Sequence, residues 1–311
     1  MLLTVANSLA PVFLLILLGW VLSYTRFLSA SSLQGMARLT YWIGVPALLF
    51  TKIAETDPSL GQAGDLLLAM VSSTALGMAL TYVLARAFGM ASTSIGTLIQ
   101  SVFRGNLAFV GLPVTIYAFS GSAQGDSAVQ TALVIFGPMV VLYNICGVLA
   151  LLLSRDGIES RALTRMGREL LVNPLLLACL AGGLYAYMGW PLPTLAQRSL
   201  TAIGQTALPL ALICIGGTLV SVRLRGNLSW VIGASLGKVV MMPLLGLGTA
   251  WLLNLSAEST RILLILLACP TAAISYVMVR QLGGDEVLAS GSILISTVLA
   301  ALSLAVILAC A

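Results

Sequence analysis

The chain has 311 residues, of which 59% are hydrophobic and 8% are charged. A soluble globular domain carries roughly 25% charged residues, so this composition excludes a soluble fold and predicts an integral membrane protein. Fifteen Lys and Arg against ten Asp and Glu give a net charge of +5, too few charges for a nucleic-acid-binding surface. Because the sequence has no His, histidine-dependent catalysis, His-ligated zinc and imidazole pH switches are excluded as well.

Ten apolar windows follow one another along the chain, each close to the roughly 20 residues that a helix needs to cross the hydrocarbon. They cover residues 5–24, 33–52, 66–86, 95–119, 128–153, 170–188, 200–220, 229–253, 260–281 and 287–309. The connections between them are short, so no room remains for a nucleotide-binding or other soluble domain. We therefore predict an all-α integral membrane protein with ten transmembrane helices, called spans 1 to 10.

The positions of the basic residues predict the orientation of the chain. The loops after spans 1, 3, 5, 7 and 9 hold ten Lys and Arg, whereas the opposite loops and the two termini hold three. Since Lys and Arg are retained on the cytoplasmic side, both termini are predicted to lie outside the cytoplasm. The most highly charged connection, residues 154–169, falls at the middle of the chain and is predicted to be a cytoplasmic linker.

Polar and proline landmarks recur in the two halves of the chain. They are Asn7, Pro46 and Pro113 in the first half and Asn173, Pro209 and Pro270 in the second. The spacings are similar, at 39 against 36 residues and 67 against 61 residues. Each half holds five spans, an odd number, so the second half must enter the membrane from the opposite side. We predict two inverted five-helix repeats, residues 1–153 and 170–311, joined by the linker.

Two of these prolines predict the binding site. Proline inside a spanning helix removes a hydrogen bond, and a break is tolerated only where protein or a water-filled cavity satisfies the freed backbone groups. Breaks in corresponding spans of inverted repeats mark transporter sites, where helix N-termini carry partial positive charge. The symmetric pair Pro113 and Pro270 therefore predicts an anion site, whereas Pro46 and Pro209 are interpreted as packing kinks. The flanking candidates are Asn106, Gly111, Thr271 and Ser275, with an interhelical hydrogen bond as the alternative role for Asn106.

Two cations lie inside predicted spans. Lys238 is nine residues into span 8, and an ionisable group at that depth is a functional candidate by default. Its predicted role is a counter-charge for an anion or a part of coupling, with a structural pair to a carboxylate or to a helix C-terminus as the alternative. Arg104 directly precedes Gly105 and Asn106, so it faces either the site, as a second counter-charge, or the membrane interface, which the sequence slightly favours.

An ordered set of motifs then runs through the chain. The motifs are residues 11–19, residues 41–50, Gly105-Asn106 with Gly111-Leu112-Pro113, residues 207–212 with Gly216-Gly217, residues 238–243 and residues 270–284. Together they resemble the bacterial auxin efflux carrier family, which includes malonate and malate permeases. That family is related in fold to plant auxin exporters and to bile-acid sodium symporters. The resemblance covers essentially the whole chain.

The resemblance implies that spans 4 and 9 are broken at their prolines and cross at mid-membrane, with Asn106, Pro113 and Pro270 at the crossing. Spans 1, 2, 6 and 7 would form a scaffold through which two copies pair as a homodimer. Spans 3 to 5 and 8 to 10 would form a mobile transport unit. A bacterial-type inner membrane is implied as the location. The short central linker, where plant exporters carry a long hydrophilic loop, favours a small carboxylate over auxin.

From the sequence we expect a secondary active transporter that moves a malonate-like or malate-like carboxylate by an elevator-like alternating-access mechanism. No cofactor is expected, and the coupling ion would be H⁺ or Na⁺. A passive anion channel or facilitator on the same fold is one alternative, because the spans contain no clear acidic coupling cluster. A carrier for auxin-like or amino-acid substrates is another. An enzyme is not expected.

Overall fold

The computed structural model describes residues 2–55, 62–119, 125–154, 171–220 and 227–310. Within those ranges the chain is helical, and its only extended pairing is one isolated antiparallel bridge between Gly105 and Thr271. The prediction of an all-α protein is confirmed for this part of the chain. All of the predicted linker except Ser154 lies outside the described residues.

The helices are α1 (Leu2–Tyr24), α2 (30–54), α3 (Gln62–Ala87), α4 (Ser92–Phe103), α5 (Leu107–Phe119), α6 (Gly125–Leu153), α7 (Pro174–Met188), α8 (Thr194–Leu219), α9 (Leu228–Leu252), α10 (Ala257–Ala268), α11 (Ile274–Leu282) and α12 (Glu286–Cys310). Predicted span 4 thus corresponds to α4 and α5, and predicted span 9 to α10 and α11. The backbone leaves the helical conformation between the two members of each pair.

Among the described residues, five helices are long and apolar enough to cross a membrane: α3, α6, α8, α9 and α12. The 25 residues of α9 extend about 38 Å, which exceeds a hydrocarbon thickness of about 30 Å. Shorter apolar segments occupy Leu9–Tyr24, Leu107–Phe119 and Pro174–Met188. The chain is therefore a multi-pass helical membrane protein.

The start of α7 shows how local chemistry corrects a predicted boundary. Span 6 was predicted from residue 170, but the helix begins at Pro174. Asn173 Oδ1 accepts hydrogen bonds from the N–H groups of Leu175 and Leu176, at 3.0 and 3.2 Å. A side-chain cap followed by proline at the first helical position fixes a helix start, because proline lacks the N–H that the first turn cannot bond.

Three prolines are accommodated by a wider helical turn rather than by a break. Each follows a π-helical turn, and the residue just before the proline donates its N–H to the carbonyl five residues earlier. The wider turn relieves the clash between a proline ring and the carbonyl four residues before it. The pairs are Thr40–Gly44 with Pro46, Leu107–Gly111 with Pro113, and Gly237–Met241 with Pro243. The expectation that span 4 is broken at Pro113 is therefore wrong, because the break lies at residues 104–106.

Helices α1, α2, α7 and α8 form one packed group, held together at small residues. α1 and α8 meet where Gly19 lies against the backbone of Ile213 and where Gly216 lies against the backbone of Ile16. Small residues also join α2 to α8 and to α7. These contacts are Gly44 with Ala207, Gly204 with Leu48, and Gly182 with Phe50 and Ile53. Close backbone approach of this kind is a main source of helix association in lipid.

A second group packs around α9 and is joined by hydroxyl groups. Ser73 Oγ of α3 lies 2.7 Å from Thr249 Oγ1 of α9. Between α9 and α12, Ser235 Oγ donates to the Ser292 carbonyl at 3.4 Å and Ser303 Oγ donates to the Val239 carbonyl at 2.5 Å. These bonds connect α3, α9 and α12, and the two interrupted helix pairs pack against them.

The close contact of α1 with α8 predicts that a glycine substitution within it lowers stability, whereas a glycine substitution outside it does not. In Gly216→Ala the new methyl group would overlap the backbone of Ile16, and overpacking costs about 1 to 3 kcal/mol. Gly183→Ala on α7 is the matched control, because a Cβ there meets no described atom within 4 Å. Thermal unfolding in detergent should show a lower melting temperature for Gly216→Ala and no decrease for Gly183→Ala. Equal melting temperatures for the two variants would contradict this packing.

Candidate functional site

The two helix interruptions pair with each other through their backbones. Gly105 and Thr271 form an antiparallel bridge. On either side of it, the Asn106 N–H donates to the Pro270 carbonyl at 2.8 Å, and the Ala272 N–H donates to the Arg104 carbonyl at 3.0 Å. Buried backbone groups must find partners, and lipid offers none. The pairing, called the crossover below, satisfies groups that each interruption would otherwise leave open.

Side chains of neighbouring helices hold the crossover in place. Thr271 is tied twice: its N–H donates to Ser296 Oγ at 3.0 Å, and its Oγ1 donates to the Ser101 carbonyl at 2.6 Å. Asn106 caps the next helix, because its Oδ1 accepts a hydrogen bond from the Phe109 N–H at 3.3 Å. The amide nitrogen of Asn106 is left for other partners. The Oδ1 atom of Asn106 thus has a structural role, whereas the amide nitrogen is a donor without a partner among the described residues.

Four helix ends meet at the crossover. α4 ends at Phe103 and α10 at Ala268, so their C-termini meet there with partial negative charge. α5 begins at Leu107 and α11 at Ile274, so their N-termini bring partial positive charge. The interruptions therefore create a polar centre inside an apolar protein.

A cavity of about 280 Å³ lies against the crossover. The first residues of α5 and α11 form part of its wall, and α2, α6 and the start of α7 form the rest. The polar side chains in its lining are Tyr41, Arg104, Asn106, Tyr143, Asn144 and Asn173, and the remaining surface is mainly apolar. A second cavity shares Tyr41, Asn144 and Asn173 and extends along Val172 and Gln281.

Arg104 provides the positive charge of this cavity. Its side chain is only 4% exposed, so it does not lie at a membrane interface as the sequence favoured. Nη1 donates to the Tyr143 carbonyl at 2.9 Å and to Met278 Sδ at 3.0 Å, and Nη2 donates to Asn144 Oδ1 at 2.5 Å. No described carboxylate bonds to it. Since a guanidinium has five N–H donors, these bonds leave two for a ligand.

Lys238 lies on the other side of the crossover, within the π-helical turn of α9. Its side chain is fully buried, and Nζ donates to the Phe103 carbonyl at 3.4 Å. Of the roles that the sequence left open, the structure shows contact with a helix C-terminus, that of α4. Lys238 is not part of the lining of either cavity described above.

The other predicted site residues form the crossover or lie near it, without lining the cavity. Gly111 leaves room for Cys269 and Leu266, whose side-chain atoms lie 3.0 Å from where a Cβ would be. Ser275 is fully buried, and its Oγ has no hydrogen-bond partner among the described residues. Of the predicted set, Asn106 and Arg104 line the cavity, whereas Gly111, Pro113, Pro270, Thr271 and Ser275 are not part of its lining.

Sequence reasoning missed four polar side chains of the lining: Tyr41, Tyr143, Asn144 and Asn173. Asn144 carried a readable signal, since an amide inside an apolar span is costly to bury without a partner. Its partner is Arg104, which lies in the preceding predicted span, forty residues earlier in the chain. Asn173 was recognised only as a landmark of the repeat, without a role at the site.

The helical fold and the polar cavity at paired helix breaks define a membrane transport protein. The chain belongs to the family described as "Membrane transport protein", whose model matches residues 4–160 and 159–308. This match confirms the resemblance to the auxin efflux carrier family. The proteins of this family are transporters and not enzymes, as the names of the relatives below also indicate.

Two relatives cover nearly the whole chain. One is an "Uncharacterized transporter" of Methanothermobacter thermautotrophicus, 26% identical over 96% of this chain and 95% of its own length. The other is a "Putative malonate transporter" of Rhizobium meliloti, 24% identical over 95% of this chain and 92% of its own length. Both matches are full length, so the similarity includes the crossover and both halves of the chain.

The double attachment of Thr271 predicts a measurable loss of stability. Thr271→Val keeps the side-chain shape but removes the donor to the Ser101 carbonyl, which costs about 1 to 3 kcal/mol when a buried acceptor is left open. Thr206→Val on α8 is the control, because that hydroxyl is exposed and bonds within its own helix. Tryptophan fluorescence during heating should show earlier unfolding for Thr271→Val alone. Unfolding of Thr271→Val at the wild-type temperature would contradict the assigned contact.

Proposed function

We propose that this protein is a secondary active transporter of a small organic anion, with malonate-like or malate-like carboxylates as the substrate class. The observation that carries the proposal is Arg104: a buried guanidinium on the cavity wall whose described hydrogen bonds all go to uncharged groups. A buried cation with spare donors is stabilised by an anion, and planar guanidinium and carboxylate groups match in a bidentate pair.

The size and lining of the cavity support a small carboxylate. A volume of about 280 Å³ is just below the usual range of ligand pockets, about 300 to 1,000 Å³, and suits a small ligand. The N-terminal turns of α5 and α11 line the same cavity, and helix N-termini favour negative charge. The free amide nitrogen of Asn106 adds a neutral donor. The name of the Rhizobium meliloti relative points to the same substrate class.

For the transport cycle, we propose the ten-span inverted repeat, with α4 plus α5 and α10 plus α11 each forming one interrupted span. The packing supports the division into two units: α1, α2, α7 and α8 would be the scaffold, and the remaining helices the transport unit. The cavity lies between them, since Tyr41 and Asn173 belong to the first unit and Arg104 and Asn144 to the second. Sliding of one unit along the other would move the site across the membrane, as in an elevator.

The second cavity suggests which side the site faces in this conformation. It reaches Val172, which follows closely on the linker predicted to be cytoplasmic, and Gln281, which adjoins the predicted cytoplasmic residue Arg280. The conformation would then be inward-facing, in a bacterial-type inner membrane with both termini on the outer side. Lipid surrounds the helices, and a second copy would pair through the scaffold, as the family resemblance implies.

Two variants at the cavity wall test this function. Arg104→Gln removes the charge, and Asn144→Asp places a carboxylate where Arg104 already donates, so the substrate is displaced by a fixed internal anion. Loss of a charged hydrogen bond is worth about 1.5 to 3 kcal/mol, so uptake should fall by about tenfold or more. The measurement is initial uptake of radiolabelled malonate and malate into proteoliposomes. Arg86→Gln at the exposed end of α3 is the control and should transport within about twofold of wild type.

The two variants separate a binding role from a structural one. Asn144→Asp should fold normally, because it converts an existing hydrogen bond of Arg104 into an ion pair of the same geometry. Loss of uptake in a variant that melts at the wild-type temperature therefore supports recognition of the anion by Arg104. Wild-type uptake in both Arg104→Gln and Asn144→Asp would refute the proposed site.

A further inference from the structure

Lys238 is a charged residue in the interior of the protein, where apolar side chains are expected. It is among the largest fully buried side chains, yet it carries an ammonium group into the crossover. Besides the bond to the Phe103 carbonyl, Nζ lies 3.2 Å from the position that a Cβ on Gly105 would take. The Leu266 carbonyl oxygen, from the last turn of α10, lies 3.2 Å from that same point. The ammonium therefore lies at the C-terminal end of α4, and the last turn of α10 adjoins the same glycine.

The charges of those ends balance the charge of Lys238. A helix C-terminus carries about half a negative elementary charge, so two of them meeting in an apolar interior carry about one. One ammonium group offsets that charge. On the other face of the crossover the N-termini of α5 and α11 carry about one positive charge together, and that face lines the cavity. Lys238 therefore lies on the face of the crossover that holds the negative helix C-termini, and the cavity lies on the face that holds the positive N-termini.

In transporters with interrupted helices, helix C-termini and unwound carbonyls are where coupling cations bind. We propose that Lys238 is a built-in cation at this position, so that transport by this protein does not depend on Na⁺. The predicted effect on uptake rests on the proposed transport function. The position of the ammonium group does not depend on that function. A bound metal cation would compete with an ammonium that already donates to the Phe103 carbonyl at the C-terminus of α4.

The residue beside the ammonium group agrees with this proposal. Gly105 has no side chain, and any Cβ there would crowd Nζ, so the glycine makes room for the ammonium group. Lys238 thus brings a formal charge to the C-terminus of α4.

The test compares the effect of Na⁺ with that of choline on three proteins at equal ionic strength. Lys238→Ala opens a space at the two C-termini that a small cation can fill, whereas Lys238→Met fills the space with an uncharged chain of similar length. We expect Na⁺ to raise the melting temperature of Lys238→Ala saturably, by about 2 to 4 °C, because a ligand bound only by the folded state stabilises it. The melting temperature of wild type should be the same in Na⁺ and in choline, and so should that of Lys238→Met.

This measurement needs no substrate, so its failure is distinct from failure of the transport proposal. A Na⁺-specific rise in the melting temperature of wild type, or its absence in Lys238→Ala, would overturn the inference. If Lys238→Ala does not give folded protein, the wild-type and Lys238→Met comparisons still decide it. In proteoliposomes, uptake of radiolabelled malonate by wild type should proceed at equal rates in Na⁺ and choline. A rate several times higher in Na⁺ would also refute it.

Discussion

Helices that stop inside a membrane protein leave N–H and C=O groups that lipid cannot satisfy, and the structure meets this constraint by pairing its two interruptions with each other. The hydrogen bonds of Asn106 to Pro270 and of Ala272 to Arg104 hold four helix ends at one place. Thr271 then fixes the pair to α4 and α12. Neither interruption would be stable alone, so each half of the chain depends on the other for its polar centre.

The same pairing separates charge, and no ion pair is present at the crossover among the described residues. Arg104 and the N-termini of α5 and α11 lie on the cavity side, and Lys238 lies at the C-terminus of α4. The two cations therefore have different roles in our account: Arg104 binds the substrate anion, and Lys238 binds a carbonyl of the protein's own backbone. The distinction follows from position: both side chains are buried, but only Arg104 lines the cavity.

The sequence allowed the helical membrane fold and the family to be predicted, because apolar length and ordered motifs are properties of local sequence. The sequence also indicated four candidate site residues that lie at the crossover: Asn106, Arg104, Lys238 and Pro270. It misplaced the first break, because a π-helical turn absorbs Pro113 while the chain leaves the helix at residues 104–106. Asn144 and Tyr41 were missed, since only the tertiary structure brings α2 and α6 to the crossover. The choice of a helix C-terminus for Lys238 likewise depends on packing that spacing does not show.

The central claim is that one site at the crossover is exposed alternately to the two sides of the membrane, and counterflow tests it most directly. Proteoliposomes loaded with unlabelled malonate are diluted into a trace of radiolabelled malonate, and internal label is followed over time. Our account predicts a transient accumulation of label above its equilibrium level, because a carrier returns loaded from the inside. Entry of label to equilibrium without an overshoot, at a rate that rises linearly with concentration, would identify a channel and contradict it.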